Sequence, residues 1–254
     1  MCFDLDSRPP IAPIAGGALD HEPLTVTSAD GTRFRAFRAR ASEPSGAGML
    51  VLPDVRGLHP YYEELALRFA EAGIDALAID YFGRTAGTTD RPDDFDFQAH
   101  VGQVTWTGLA DDIRAAAEAL RAEGRVSALF TVGFCFGGRL SFDCATLGLR
   151  PAGVIGFYGW PVGAGRGDVP APADRADRFE CPVLGIFGGA DQGIPVTAAE
   201  AFGEALTGAG IENEIWVAPD APHSFFDRKA AEFAAQSEEA WRRVRDFVGR
   251  RTAA

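Results

Sequence analysis

The chain has 254 residues, and its 36 acidic residues outnumber its 24 lysines and arginines, which gives a formal net charge of -12. A protein this acidic lacks the basic stripe that neutralises phosphate backbones, so we exclude nucleic acid as a partner. Hydrophobic residues make up 46% of the chain and charged residues 24%, as in a globular protein with one large core. No stretch approaches the roughly 18 consecutive apolar residues that span a bilayer, so we predict no membrane association.

The four cysteines lie far apart in the chain and show no metal-ligand spacing: Cys2, Cys135, Cys144 and Cys181. The N-terminus lacks the basic start and the apolar core of a signal peptide. We therefore expect reduced thiols, no bound metal and a cytoplasmic location.

The first predicted elements form a hairpin. Residues 1–23 are rich in proline and glycine, and they are predicted to be an irregular arm lying on a single domain of residues 24–254. Strands are predicted at residues 24–27 and 33–39, because these segments flank an Asp-Gly turn signal and carry charges on alternate positions.

From residue 48 onward, strand patterns alternate with helical patterns. Strand signals cover residues 48–53, 74–80, 126–132, 152–157, 183–187 and 211–217, and helix signals cover residues 61–72, 107–122, 196–206 and 230–250, with one more helix after Cys135. Short, wholly apolar strands suit a parallel sheet that is buried on both faces. The alternation predicts an α/β fold with a mostly parallel sheet and right-handed crossovers.

Two long connections are predicted to be loops. Residues 82–97 contain two glycines, a proline and four aspartates. Residues 159–181 include Gly163-Ala-Gly-Arg-Gly167, which invites comparison with nucleotide-binding loops. That run lacks the preceding strand and following helix that phosphate binding requires, so we interpret it as a flexible loop.

The segment Gly133-Phe-Cys-Phe-Gly137 carries the strongest chemical signal. Glycines on both sides of Cys135 permit a sharp strand-to-helix turn that exposes the thiol above the sheet. The backbone N–H of Phe136 then points to where an oxyanion would form, and the helix dipole favours a thiolate. The alternative is an inert packing cysteine between glycines.

An acid and a base follow the cysteine in the chain order of elbow hydrolases. Asp191 lies on a glycine-rich turn after the next-to-last predicted strand, and His223 lies in the loop after the last one. Separately, Asp191 also fits a turn-forming aspartate, and His223 fits a surface histidine. Because all three side chains follow parallel strands, we expect them to meet at one edge of the sheet.

The chain resembles the dienelactone hydrolase family of α/β-hydrolases over nearly all of residues 24–250. The matching segments are Leu52-Pro-Asp-Val-Arg-Gly57, Ile79-Asp-Tyr-Phe-Gly-Arg84, Val132-Gly-Phe-Cys-Phe-Gly-Gly138, Phe157-Tyr-Gly159, Gly188-Gly-Ala-Asp191 and Pro222-His-Ser-Phe225. The resemblance implies an α/β-hydrolase fold and a Cys135–His223–Asp191 triad that cleaves a small-molecule lactone or ester through an acyl-cysteine. Such chemistry needs no cofactor.

The resemblance also implies roles for residues around the triad. The amide of Val55 is expected to complete the oxyanion hole. Family members often carry a glutamate where Asp54 stands, and that carboxylate interacts with the resting nucleophile. Tyr158 belongs to a matching segment and is expected to contact the substrate. His59 is a further candidate for the pocket, with a solvent-facing loop histidine as the alternative.

Recognition of a substrate carboxylate is a second point, after Asp54, at which the chain departs from the family pattern. Arg84 aligns with one of the arginines that hold the carboxylate, and its alternative role is an ion pair with Asp90, Asp93 or Asp94. The resemblance implies another of these arginines four residues after His223, but the chain has Asp227 there, with Arg228 next. This departure brings a strict preference for dienelactone into question.

Two other functions remain open at this level. One is a carboxylesterase or thioesterase for neutral substrates, and the other is a thiol redox or binding protein in which Cys135 is not turned over. The sequence fits a monomer or a small homo-oligomer.

Overall fold

The computed structural model describes residues 6–92 and 94–252, so predictions about Cys2 and Asp93 lie outside the described residues. The strands are β1 (Ala18–Thr27), β2 (Arg33–Ala41), β3 (Ala47–Leu52), β4 (Asp75–Ile79), β5 (Ala128–Phe134), β6 (Gly153–Phe157), β7 (Val183–Gly188) and β8 (Asn213–Ala218). The α-helices are α1 (Pro60–Glu71), α2 (Gly83–Ala86), α3 (Phe97–Val101), α4 (Trp106–Arg121), α5 (Phe136–Asp143), α6 (Val196–Gly208) and α7 (Ala234–Thr252). Two short 3₁₀ segments span Cys144–Thr146 and Pro172–Arg178.

The strands form one sheet in the order β1-β2-β4-β3-β5-β6-β7-β8. Strand β2 pairs antiparallel with β1 and β4, and every other neighbouring pair is parallel. The predicted mostly parallel α/β sheet is confirmed. Its parallel strands β3, β4, β6 and β7 are buried along their whole length, as their continuous apolar sequences predict.

The predicted irregular arm is shorter than expected, because β1 begins at Ala18 and pairs with β2 along its whole length. Charged side chains extend the hairpin toward the N-terminus: Arg40 Nη1 lies 2.8 Å from Asp20 Oδ1, and Arg38 pairs with Glu22. Pro23 is compatible with this strand because β1 is at the edge of the sheet. Among the described residues of the predicted arm, residues 6–17 lie outside any strand.

The connection at residues 82–97 was predicted to be a loop, but it contains the single helical turn α2. The connection ends at Phe97, where α3 begins. The side chain of Asp96 accepts a hydrogen bond from the Ala99 N–H at 3.2 Å and so caps α3. This cap matters for function because α3 brings Phe97 and Gln98 over the carboxyl edge of the sheet.

Across the part of the chain that the structure describes, no helix combines the length and the apolar character that crossing a bilayer needs.

Candidate active site

Cys135 lies on the sharp turn between β5 and α5, with φ 54° and ψ -112°. Left-handed φ values are costly for a non-glycine residue, so this turn must be held by its surroundings. A Cβ at Gly133 would lie 1.9 Å from the Gly137 carbonyl oxygen, and a Cβ at Gly137 would lie 2.1 Å from the Leu52 carbonyl oxygen. Glycines are therefore required for α5 to pack this closely on β3 and β5.

Asp191 and His223 meet as the sequence predicted. The His223 Nδ1 and Asp191 Oδ2 atoms are 2.6 Å apart. The other carboxylate oxygen, Asp191 Oδ1, accepts hydrogen bonds from the N–H groups of Gly193 (2.8 Å) and Ile194 (3.1 Å). The turn after β7 thus fixes the carboxylate, which in turn fixes the imidazole ring that follows β8.

The ring of Tyr158 packs against His223 with 4.8 Å between the ring centroids. Tyr158 is 2% exposed and has φ 37°, and its N–H donates to the Ile186 carbonyl at 2.7 Å. This backbone is disfavoured for a tyrosine and turns the ring toward the histidine. Tyr158 therefore packs against the imidazole ring that Asp191 holds.

A cavity of about 300 Å³ opens beside Cys135. Its lining combines the nucleophile, the base and mostly apolar side chains: Val55, Phe97, Gln98, Cys135, Phe136, Arg139, Tyr158, Trp160, Gly165, Arg166, Gly193, Ile194 and His223. Thus the structure brings Cys135, His223, Val55, Phe136 and Tyr158 to one site, as predicted. A cavity of this size and character suits a small organic ligand.

The predicted oxyanion donors lie beside the nucleophile. Phe136 is the first residue of α5, where backbone N–H groups have no acceptor within the helix. Val55 belongs to the turn after β3, and it lines the cavity together with Phe136. Both residues therefore line the cavity that holds Cys135, and the oxyanion hole formed by their N–H groups stays a prediction.

Asp54 and His59 are placed behind the cavity and are absent from its lining. Asp54 is 1% exposed, and its Oδ1 accepts from the Arg56 N–H at 2.8 Å. His59 Nε2 lies 3.9 Å from Asp54 Oδ2, and burial lowers the pKa of His59 despite this carboxylate. His59 packs on Tyr62, so neither the predicted pocket position nor the solvent-facing alternative describes it.

Asp227 belongs to the same buried cluster as Asp54. Asp227 is 5% exposed and Arg56 is 9% exposed. Burial lowers the pKa of Arg56 to about 10, while the charges of Asp54 and Asp227 oppose that shift. An acid at position 227 is thus matched by a buried arginine on the turn after β3.

The structure corrects the predicted role of Arg84. Its Nη2 lies 2.8 Å from Asp112 Oδ1 and its Nη1 pairs with Asp30, and Arg84 does not line the cavity. The predicted alternative partners were also different, since Asp90 pairs with Arg35. The true partners lie on α4 and on the β1–β2 turn, which are remote from Arg84 in the sequence.

Several cavity residues were not singled out from the sequence. Trp160 and Arg166 come from the loop at residues 159–181, Phe97 and Gln98 come from α3, and Arg139 comes from α5. An arginine inside the Gly163–Gly167 run and another directly after Gly138 were the available signals. Neither signal is specific without the position of the loop.

Within residues 6–92 and 94–252, the structure shows no group of three or more His, Cys, Asp or Glu side chains that could hold a metal ion.

Comparisons with known proteins show which family the chain belongs to. Residues 34–252 match the family model described as the dienelactone hydrolase family. The chain is 29% identical over 258 residues to a protein of Rhodococcus opacus named "Carboxymethylenebutenolidase", with 98% of this chain and 97% of the relative covered. A Salmonella typhimurium protein named "Putative carboxymethylenebutenolidase" is 30% identical over 230 residues, covering 88% of this chain and 85% of that protein.

A solved structure from Klebsiella pneumoniae, titled as a "Putative Dienelactone Hydrolase", shares the fold with a TM-score of 0.76. It is 26% identical, and the superposition covers 91% of this chain and 99% of that chain. The α/β-hydrolase fold expected from the sequence is therefore confirmed.

We expect Arg84→Ala to lower stability and to leave hydrolysis of a neutral ester nearly unchanged. The change removes the ion pair of Asp112, whose side chain is 2% exposed and whose pKa burial already raises. Losing hydrogen bonds to a charged group lowers the free energy of unfolding by about 1.5–3 kcal/mol, which urea denaturation measures.

The matched control for this prediction is Arg35→Ala, because the partner carboxylate of Arg35, on Asp90, is 97% exposed. That control should cost less than about 1 kcal/mol. Unchanged stability of Arg84→Ala, combined with a loss of activity confined to anionic esters, would restore the predicted substrate-binding role.

Iodoacetamide at neutral pH should alkylate Cys135 and spare Cys144 and Cys181. Burial raises the pKa of Cys181 to about 12 and raises that of Cys144 further, so both remain protonated thiols at neutral pH. Peptide mass spectrometry gives the measurement, with Cys135→Ala as the control. Alkylation of Cys144 before Cys135 would show that the elbow does not expose its thiol.

Proposed function

Because the chain belongs to the dienelactone hydrolase family, we propose that it hydrolyses a lactone or carboxylic ester through an acyl-cysteine on Cys135. The observation that carries this proposal is the 2.6 Å contact between His223 Nδ1 and Asp191 Oδ2, with His223 and Cys135 lining one cavity. The arrangement of nucleophile, base and orienting acid is that of covalent acyl transfer.

The first step is attack of the Cys135 sulfur on the substrate carbonyl. Asp191 holds the Nδ1 proton of His223, which leaves Nε2 as the atom that accepts the thiol proton. The S–C bond forms as the carbonyl π electrons move to oxygen. The N–H groups of Phe136 and Val55 stabilise that oxyanion, and removing one such donor costs about 3–4 kcal/mol.

The second half of the cycle releases the products. When the tetrahedral intermediate collapses, the C–O bond breaks and His223 returns its proton to the alkoxide. His223 then removes a proton from water, the resulting hydroxide attacks the thioester carbonyl, and the acid leaves with regeneration of the Cys135 thiol. The protein's own residues supply every proton transfer, so the cycle requires no cofactor.

The walls of the cavity favour a small substrate with an apolar body. Phe97, Phe136 and Trp160 supply aromatic surface, and Ile194 supplies aliphatic surface. The name of the Rhodococcus opacus relative supports a lactone as the substrate class. A carboxylesterase acting on neutral esters is the second candidate, because Arg84 is held in an ion pair outside the cavity.

We expect Cys135→Ala to abolish hydrolysis and His223→Ala to lower kcat by about 10²–10⁴-fold, since general-base catalysis contributes a factor of that order. The assay is release of p-nitrophenol from p-nitrophenyl acetate, with ring opening of a butenolide followed in parallel. Cys181→Ala is the control, because Cys181 is buried away from the cavity.

Rapid-mixing kinetics tests the intermediate directly. An activated ester should give a burst of product equivalent to one acyl group per chain, with the added mass located on Cys135. Activity that survives Cys135→Ala would overturn the acyl-cysteine mechanism, and a burst without turnover would favour a thiol-based sensor.

A further inference from the structure

One wall of the cavity is built by residues 160–170, which we call the wall segment. The guanidinium of Arg139 donates to four backbone carbonyl oxygens of this segment: Pro170 (2.8 Å), Trp160 (3.1 Å), Gly163 (2.9 Å) and Val169 (3.0 Å). Arg139 is 3% exposed and lies on α5, the helix that begins after the nucleophile. The shape of this wall is therefore tied to the helix that positions Cys135.

The wall segment fits closely around that guanidinium. A Cβ at Gly165 would lie 2.7 Å from Arg139 Cζ, so the backbone at Gly165 packs directly on the guanidinium. At the far end of the segment, Asp168 Oδ1 accepts from the Trp106 N–H at 2.6 Å. The run that looked like a flexible glycine loop in the sequence is thus anchored at both α4 and α5.

Two arginines, one on α5 and one on the wall segment, give the cavity lining positive charge. Among the described residues that line the cavity, Arg139 and Arg166 carry positive charge, and none is an aspartate or a glutamate. The hydrogen bonds of Arg139 go to carbonyl groups, and the carboxylates that act on its charge, Asp143 and Asp174, lie outside the cavity lining. In a chain with a net charge of -12, such a cavity is a local exception.

Arg166 differs from the other arginines near the site because its guanidinium is available to bind a ligand. Arg166 is exposed and lines the cavity, and its side chain forms no hydrogen bond or ion pair within the described parts of the chain. Arg84 is bound to Asp112 and Asp30. Arg56 lies in the buried cluster with Asp54 and Asp227, outside the cavity lining.

We propose that Arg166 is the specificity-determining residue of this site, and that it binds a carboxylate group carried by the ester or lactone while Trp160 packs on the apolar part of the same substrate. Arg139 is the positioning residue that holds both side chains in place. This inference rests on the proposed hydrolase function and adds to it the residue that selects among substrates.

The chemistry of the guanidinium supports this role. Its planar donors match both oxygens of a carboxylate, which gives directional as well as electrostatic recognition. Trp160 is 37% exposed, so its ring is open to contact with a ligand. A substrate that carries a carboxylate beyond an apolar stretch would satisfy both residues, whereas a neutral ester would satisfy the ring alone.

The test compares two esters of similar length, mono-p-nitrophenyl glutarate with its free carboxylate and the neutral p-nitrophenyl valerate. We expect Arg166→Gln to lower kcat/KM for the glutarate ester about tenfold or more and to change the valerate ester less than about twofold. Arg166→Lys should retain part of the preference, because it keeps the charge and loses the planar donors.

The matched control is Arg178→Gln, which makes the same change of net charge at an exposed arginine outside the cavity. It should leave the ratio of the two kcat/KM values unchanged. Equal losses on both esters in Arg166→Gln, or an equal change of the ratio in Arg178→Gln, would overturn the assignment of Arg166. Failure of the wild-type protein to hydrolyse either ester would overturn the proposed hydrolase function as well.

Arg139→Lys tests the support of the wall segment separately. A lysine ammonium has three donors on a flexible stem and cannot reproduce four bonds to spread carbonyl groups. We expect a higher KM for both long esters and a reduced preference for the glutarate ester. A lower melting temperature with an intact preference would show that Arg139 contributes stability alone.

Discussion

The close approach of α5 to the sheet at Gly133 and Gly137 is the constraint on which the rest of the site depends. Added Cβ atoms at these positions would lie 1.9 Å and 2.1 Å from carbonyl oxygens, so no other residue fits without displacement of the helix. This packing keeps Cys135 at φ 54°, a conformation that costs an isolated residue about 1–2 kcal/mol. The buried strands on either side offset that cost and aim the thiol into the cavity.

The residues of the predicted triad follow strands of the sheet, whereas other residues of the cavity lie on a loop and a short helix. The carboxyl ends of β5, β7 and β8 lead directly to Cys135, Asp191 and His223, so sheet register determines their spacing. The residues that we propose for substrate specificity lie on segments with no such register, namely α3 and the wall segment. This separation lets substrate preference change while the catalytic geometry is kept.

Local sequence patterns were sufficient wherever a function depends on residues close together in the chain. The elbow, the order of acid and base, and the strand alternation all have short-range signals, and the structure agrees with each. The role of Arg84 could not be predicted without the position of Asp112, a buried carboxylate on α4. Ser28, on the turn from β1 to β2, also donates a hydrogen bond to Asp112. The four carbonyl partners of Arg139 could not be predicted either, because every residue has a backbone carbonyl and no sequence pattern marks the ones that accept a side-chain hydrogen bond.

The buried cluster of Asp54, Arg56 and Asp227 bears on the carboxylate recognition that we propose for the wall segment. Burial lowers the pKa of Arg56, and the negative charges of Asp54 and Asp227 oppose that shift. With Asp227 in place, the region after His223 presents an acid where the family resemblance implies an arginine. Asp54, Arg56 and Asp227 do not line the cavity, whereas Arg166 does, so a substrate carboxylate in the cavity can contact Arg166 and not Arg56.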